Sequence, residues 1–324
     1  MKFYLLTIVT SLLLCQPLIA QTGLELGIPE LVRSSGALNP AIASANRDQS
    51  GQIAGYFGKI PYNTPVAYYE DLATSGQGGI SGVLRLSSFS MSGAFYGNSR
   101  ELSDRNFSEY TYGRSESHIF LGLGFQPSKQ WSLGAAFRAH EFDADLDSAD
   151  NILSERPQHN YFAYNFYLRL EQSSLEWNFM VSPYQDRSWT QFIDAMQLRL
   201  DSAWRGPVGL EFAVAKRMSF GSLPAKIGFR SLLELPSSEM DKTHFEATPY
   251  LKLGIAKQST IQTSFSMGTA NGDAFLAANL GLDVSLVKGL FLSFAMNMEN
   301  SHYLLDAESE TMAGFNLGVG WNFR

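Results

Sequence analysis

The stretch that decides the fold is the last one, "AGFNLGVGWNFR", residues 313–324. Phe315, Leu317, Val319, Trp321 and Phe323 alternate with Gly314, Asn316, Gly318, Gly320 and Asn322. Side chains on a strand point to opposite faces in turn, so this run has one face of large apolar groups and one of glycine and asparagine. The same period of two recurs upstream. In "GLFLSFAMNM", Leu290, Leu292, Phe294, Met296 and Met298 share a face; in "LGLDVSL", Leu280, Leu282, Val284 and Leu286 do. "YFAYNFYLRL" sets Phe162, Tyr164, Phe166, Leu168 and Leu170 against Tyr161, Ala163, Asn165, Tyr167 and Arg169.

About fourteen such segments follow one another between residue 51 and the C-terminus, with 80–97 long enough to be two. Most run about ten to thirteen residues. Strands of soluble proteins average about five or six, whereas a tilted membrane-spanning strand needs about nine to eleven. Length therefore selects a membrane sheet over a soluble sandwich. A sheet in hydrocarbon must close on itself, because an open edge would leave backbone groups unsatisfied. The expected fold is all-β: a transmembrane antiparallel β-barrel of the bacterial outer membrane, of about 14 strands (range 12–16). The C-terminal strand resembles the strand by which outer-membrane barrels are recognised for assembly, although Arg324 follows the terminal aromatic Phe323. No mature segment carries 18 consecutive apolar residues, so no spanning helix is expected.

The first twenty residues stand apart. Lys2, an apolar run to Leu14, Pro17 and Ala20 read as a cleaved secretory signal with Gln21 the first mature residue. Cys15 is the one cysteine, so the mature chain has no disulfides. Without Lys2 the 24 basic residues become 23 against 31 acidic, a net charge of −8. That balance argues against nucleic acid as a partner, since binding its backbone needs a basic face. The expected organisation is signal peptide 1–20, a leader or plug at the periplasmic mouth over 21–49, and the barrel over 50–324. The expected surroundings are outer-membrane lipid.

The connections fit. "QPSKQ", "QSS" and "KQS" are tight turns, while "RELSDRNFSEYTYGRSES" and "FDADLDSADNILSERPQHN" read as long polar loops. Counting sides from the two ends of the chain disagrees, which points to one strand missed or merged between about 171 and 224.

The leader contains Asn39-Pro40-Ala41, in "LNPA", read as a turn into the first strand near Gln52. An early Asn-Pro-Ala followed by a barrel of this length resembles the PorP/SprF family, outer-membrane barrels of the type IX secretion and gliding machinery of Bacteroidetes. Ile42 and Ala43 follow here, where that family tends to carry Tyr and Gly. FadL-like fatty-acid transporters and their PorV-like relatives also carry an early "NPA". The PorP/SprF resemblance implies a non-enzymatic component of a secretion or surface-adhesin machine, partnered by secretion-machine subunits or an adhesin. The FadL-like rival implies a channel for a hydrophobic or small solute.

Other motifs lead nowhere catalytic. Asp143, Asp145 and Asp147 have the opening spacing of a calcium loop, but Ser148 replaces the required glycine and Ser154 the terminal acid. A solvated acidic outer loop is the better reading. The five histidines, His118, His140, His159, His244 and His302, show no close metal pair in sequence. No cofactor and no catalytic residue is expected. On the polar faces, and so lining the lumen, are the basic Arg138, Arg169, Arg199, Lys226 and Arg230. The acids there are Glu176, Glu211, Glu234 and Asp283. They read as a pore lining or as ion pairs filling a narrow interior.

Overall fold

The computed structural model describes residues 36–45, 50–59, 62–63, 74–103, 110–148, 155–193, 198–237, 243–256, 259–270, 273–287, 289–302 and 309–323. The signal segment 1–20 and leader residues 21–35 and 46–49 lie outside them. One short helix, α1 (Pro40–Ala45), precedes the strands. These are β1 (Gly51–Lys59), β2 (Tyr62–Asn63), β3 (Thr74–Leu86), β4 (Phe89–Ser103), β5 (Tyr110–Phe125) and β6 (Trp131–Ser148). Next come β7 (Glu155–Gln172), β8 (Leu175–Ile193), β9 (Leu198–Arg205), β10 (Val208–Phe220) and β11 (Leu223–Leu235). The last five are β12 (His244–Ala256), β13 (Ser259–Ala270), β14 (Asp273–Val287), β15 (Leu290–His302) and β16 (Ser309–Phe323).

All neighbours pair antiparallel, and β1 pairs with β16 from Gly51↔Phe323 to Lys59↔Phe315, so the sheet closes. Two of its strands are side pieces: β2 adds two residues beside β16, and β9 pairs with β8 alone. What remains is a closed barrel of fourteen strands. No helix of the described residues is long and apolar enough to cross a membrane.

The terminal strand explains its own alternation. Phe315, Leu317, Val319 and Trp321 are exposed on the outside, as are Ile53 and Phe57 on β1 beside them. In water such a surface would be a liability; in a bilayer it is the solvated face. The other face looks inward and is close-packed. Asn316 is wholly buried. The Cβ positions of Gly58 and Gly318 abut Asn316 and Tyr56 respectively, so the inner seam between β1 and β16 takes large inward groups only where glycine faces them.

Strand bookkeeping differs from the sequence expectation in two places that offset each other. Segment 80–97 is two strands, β3 and β4, joined by a tight turn with Ser87 in the left-handed region at φ 57°. Segments 174–183 and 189–201 are not two spanning strands. The first and the start of the second belong to one 19-residue strand, β8. Its register with β7 slips between Tyr164 and Phe166, where one extra residue enters β8 near Pro183. A bulge shifts the parity of everything beyond it, so the alternation breaks and one strand reads as two. The disagreement between 171 and 224 thus came from a strand split, not a strand missed. β9 and β10 continue one another: Gly206 N–H donates to Gln185 O (2.9 Å), on the same register that joins Arg205 to Asp186 and Gly209 to Ser182.

Several strands exceed the span of a bilayer. β6 and β7 have 18 residues each, far above the roughly nine to eleven needed. Their far ends therefore stand above the membrane on the long-loop side. The supposed acidic loop is largely strand: Asp143, Asp145 and Asp147 belong to β6, so their spacing is a strand's alternation and not a calcium loop.

Candidate functional site

The inner wall at the short-turn end is built from small residues. Ser90, Gly122, Gly124, Ser132 and Gly134 project inward from β4, β5 and β6, and α1 lies against them. Asn39 caps the helix: its Oδ1 accepts from Ala41 N–H (3.1 Å) and Ile42 N–H (3.2 Å), and Pro40 takes the first helical position, where no N–H is needed. Before it, Gly36 holds φ 81° with Asn39 N–H donating to Gly36 O (3.0 Å). So Asn39, Pro40 and Ala41 form a helix start rather than a simple turn.

Six residues cannot be stable as a helix alone; the wall holds this one. Ser132 Oγ donates to Ala41 O (2.6 Å), Ser90 Oγ to Pro40 O (3.3 Å) and Arg85 Nε to Ala43 O (2.7 Å). Ala43 O lies in the last turn, where the helix has no N–H of its own to offer; Pro40 O and Ala41 O accept these wall bonds in addition. A Cβ on Gly134 would lie 2.7 Å from Pro40 Cγ and 2.8 Å from Ala41 N, and one on Gly124 would collide with Pro40 O. Ala37, Ala41 and Ala43 have no exposed surface.

Further round the wall lies a charge cluster. Arg169 Nη2 meets Glu171 Oε2 at 2.6 Å, and Arg169 Nε meets Glu176 Oε1 at 3.5 Å. Arg217 reaches Glu171 (2.6 Å) and Glu176 (3.5 Å), and Lys226 Nζ lies 3.1 Å from Glu176 Oε2. Removing a partner from a pair this buried would leave an uncompensated charge. Three sequence-predicted residues, Arg169, Glu176 and Lys226, meet here. Elsewhere Arg230 pairs with Glu246 (3.1 Å), and Glu234 stands 4.0 Å from Arg187. Asp283 accepts from Ser293 Oγ (2.7 Å) and Thr260 Oγ1 (3.4 Å). Glu211 sits half-buried on the inner face of β10, apart from the cluster.

Arg199 is the exception among the sequence-predicted lining residues. It lies beyond the bulge, where parity has changed, and its side chain is 64% exposed on the outer side of β9 beside Asp201 (3.0 Å). It does not line the lumen.

Above the helix runs a row of rings on successive strands. Tyr96, His118, His140 and Tyr161 are direct cross-strand neighbours. Their ring centroids are 4.8, 4.2 and 4.8 Å apart. Arg138 and Arg187 each place a guanidinium 5.8 Å from the Tyr161 ring. His118 and His140, unpaired in sequence, are therefore in ring contact, tilted by 36°. Sequence alone would have missed the pair: reflection about Ser128, the midpoint of the turn 126–130, sends 118 to 138, whereas the register is centred one residue later, on Lys129. Among the described residues no three potential ligands gather to hold a metal ion.

No family model matches the sequence, and no curated protein matches it. Solved structures do. The Ralstonia pickettii toluene transporter TbuX matches with TM-score 0.64 and 8% identity, over 92% of this chain and 99% of that one. The Pseudomonas putida toluene transporter TodX matches with TM-score 0.61 and 10% identity, over 95% and 99%. A Pseudomonas aeruginosa FadL homologue matches with TM-score 0.57 and 11% identity, over 90% and 94%. These are channel and transporter barrels. The PorP/SprF expectation, with its secretion-machine or adhesin partners, is thereby corrected: the barrels this chain is similar to are of the rival, FadL-like type. The motif misled for a physical reason. Asn-Pro-Ala makes a capped helix start, which serves any barrel with a short inner helix. At these identities the likeness is one of fold, shared almost end to end with outer-membrane hydrocarbon channels.

Proposed function

We propose that this chain is an outer-membrane channel for small hydrophobic solutes, with residues 36–45 narrowing its short-turn mouth. The observation that carries it is a helix seated inside a closed barrel, in a fold shared along nine-tenths of its length with a toluene transporter. A fourteen-stranded barrel encloses more space than wall side chains alone fill, since diameter grows with strand number. The inward glycines at 122, 124 and 134 leave room for α1 on one side, and ion pairs occupy the other. On this reading the short turns face the periplasm, α1 stands at the periplasmic mouth, and the leader over 21–49 acts as its plug. Residues 1–20 act as the cleaved export signal, and the chain works without catalysis.

The test is transport. Purified protein in liposomes should speed entry of toluene over empty liposomes, and deleting residues 36–45 should raise single-channel conductance in planar bilayers. Entry no faster than through lipid, with conductance unchanged by the deletion, refutes the reading. Sequencing the N-terminus of the outer-membrane protein checks the export signal; a start other than Gln21 corrects the cleavage site.

A further inference from the structure

The short-turn end of the inner wall carries charge in an arrangement that sheets avoid. Like charges directly opposite one another on antiparallel strands are destabilising. Here Glu171 on β7 stands opposite Glu176 on β8. Beside them, Arg217 on β10 stands opposite Lys226 on β11, and Lys226 opposite Lys252 on β12. A pair of acids thus abuts a row of three cations. The acids are claimed several times over: Glu176 serves Arg169, Arg217 and Lys226, and Glu171 serves Arg169 and Arg217. The ion-paired group of three cations and two carboxylates keeps an excess positive charge.

That excess faces the lumen. The side chains of Arg217 and Lys226 are 52% and 30% exposed. Arg169 is almost fully buried, and its Nη1 has no hydrogen-bond acceptor. An excess of positive charge at this end of the wall biases the local potential toward positive. In a narrow aqueous passage with low-dielectric walls such a field is focused, and it reaches about 8 Å at physiological ionic strength. The chain as a whole is acidic, with a formal charge of −7, so this sign is local.

We propose that the Arg169/Arg217/Lys226 cluster makes the lumen anion-selective, passing chloride over potassium and a carboxylate-bearing solute over an amine of equal size. The proposal rests on the channel reading above. It is tested with the full chain in planar bilayers under a KCl gradient, reading the reversal potential. The expected sign is that of chloride permeability several-fold above potassium. The double variant Arg217→Gln, Lys226→Gln should move the ratio toward or past unity, and Glu171→Gln should move it further toward chloride. Only variants that keep the heat-dependent gel shift of an assembled barrel are compared, and Arg217→Gln alone serves if the double variant does not assemble. A potassium preference, or a ratio indifferent to these changes, overturns the proposal and leaves the channel standing. A barrel that conducts nothing overturns both.

Discussion

Loosening the seat of α1 should expose it in proportion to what each contact contributes. The Arg85 guanidinium donates to Ala43 O at 2.7 Å, deep in the wall. A hydrogen bond to a charged donor contributes about 1.5–3 kcal/mol. Arg85→Ala should therefore raise the unseated fraction about 10- to 150-fold, at about 1.4 kcal/mol per decade. Ser44 offers a reporter, since it lies on α1, is buried and bonds only within its own helix in the contact seen here, Oγ to Ala41 O (3.1 Å). In a Cys15→Ser background, Ser44→Cys would be the sole thiol. Its maleimide labelling should be slow in the assembled barrel and, when seating is fast relative to labelling, should accelerate by that same factor on adding Arg85→Ala. A control substitution at Lys129, whose side chain is exposed, should leave the rate alone. Equal labelling with and without Arg85 would show that the wall does not hold the helix, and the seat would lose its energetic meaning.

Other outcomes follow from the same geometry. Gly134→Val should release α1 more fully than Arg85→Ala, because its Cβ meets Pro40 Cγ at 2.7 Å; the Ser44→Cys label reads it. Met296→Arg, on the exposed outer face of β15, should cost about 2–4 kcal/mol in urea unfolding from lipid if that site is near the midplane. Gln262→Arg on the inner face of β13 should cost about 1 kcal/mol or less, and equal costs would contradict a lipid-facing alternation. Glu176→Gln should destabilise by up to about 3–5 kcal/mol, since it takes away the buried carboxylate shared by Arg169, Arg217 and Lys226 and leaves Arg169 only Glu171; Glu176→Gln combined with Arg169→Gln should recover part of that, and no recovery would deny the pairing.

The barrel was legible because its cause is local. Each strand declares its two faces through residues two apart, and lipid on one side keeps the apolar parity uninterrupted for ten residues or more. Phe315, Leu317, Val319 and Trp321 needed no knowledge of their partners to be placed outward. The same rule failed at β8 because parity there is not local. The extra residue near Pro183 is accommodated by the partner register at Tyr164 and Phe166, which "SPYQDRSW" does not state. Arg199 was misplaced by the same slip, since its face is inherited from everything between it and the bulge.

The site was less legible, and for a different reason. Its parts meet across strands rather than along them. Arg169 and Glu176 could be paired from sequence because one tight turn, 173–174, separates them, but His118 and His140 could not, because the β5–β6 register is centred one residue past the midpoint of its turn. Arg217 and Glu171 could not: they belong to β10 and β7, two strands apart, and only the closed wall brings their side chains to 2.6 Å. The helix seat is harder still. Gly122, Gly124 and Gly134 look like the small-residue parity of any lumen face, and their reason is a segment more than seventy residues upstream. Yet the two halves constrain each other: a six-residue helix needs outside acceptors and donors to persist, and a wall of inward glycines needs something to fill it. Asn39 supplies the start, Arg85, Ser90 and Ser132 bond to carbonyls of the helix, and the glycines give the clearance. A substitution that keeps the chemistry of one half and spoils the other should therefore disorder both, which is why a thiol on α1 can report on a glycine in β6.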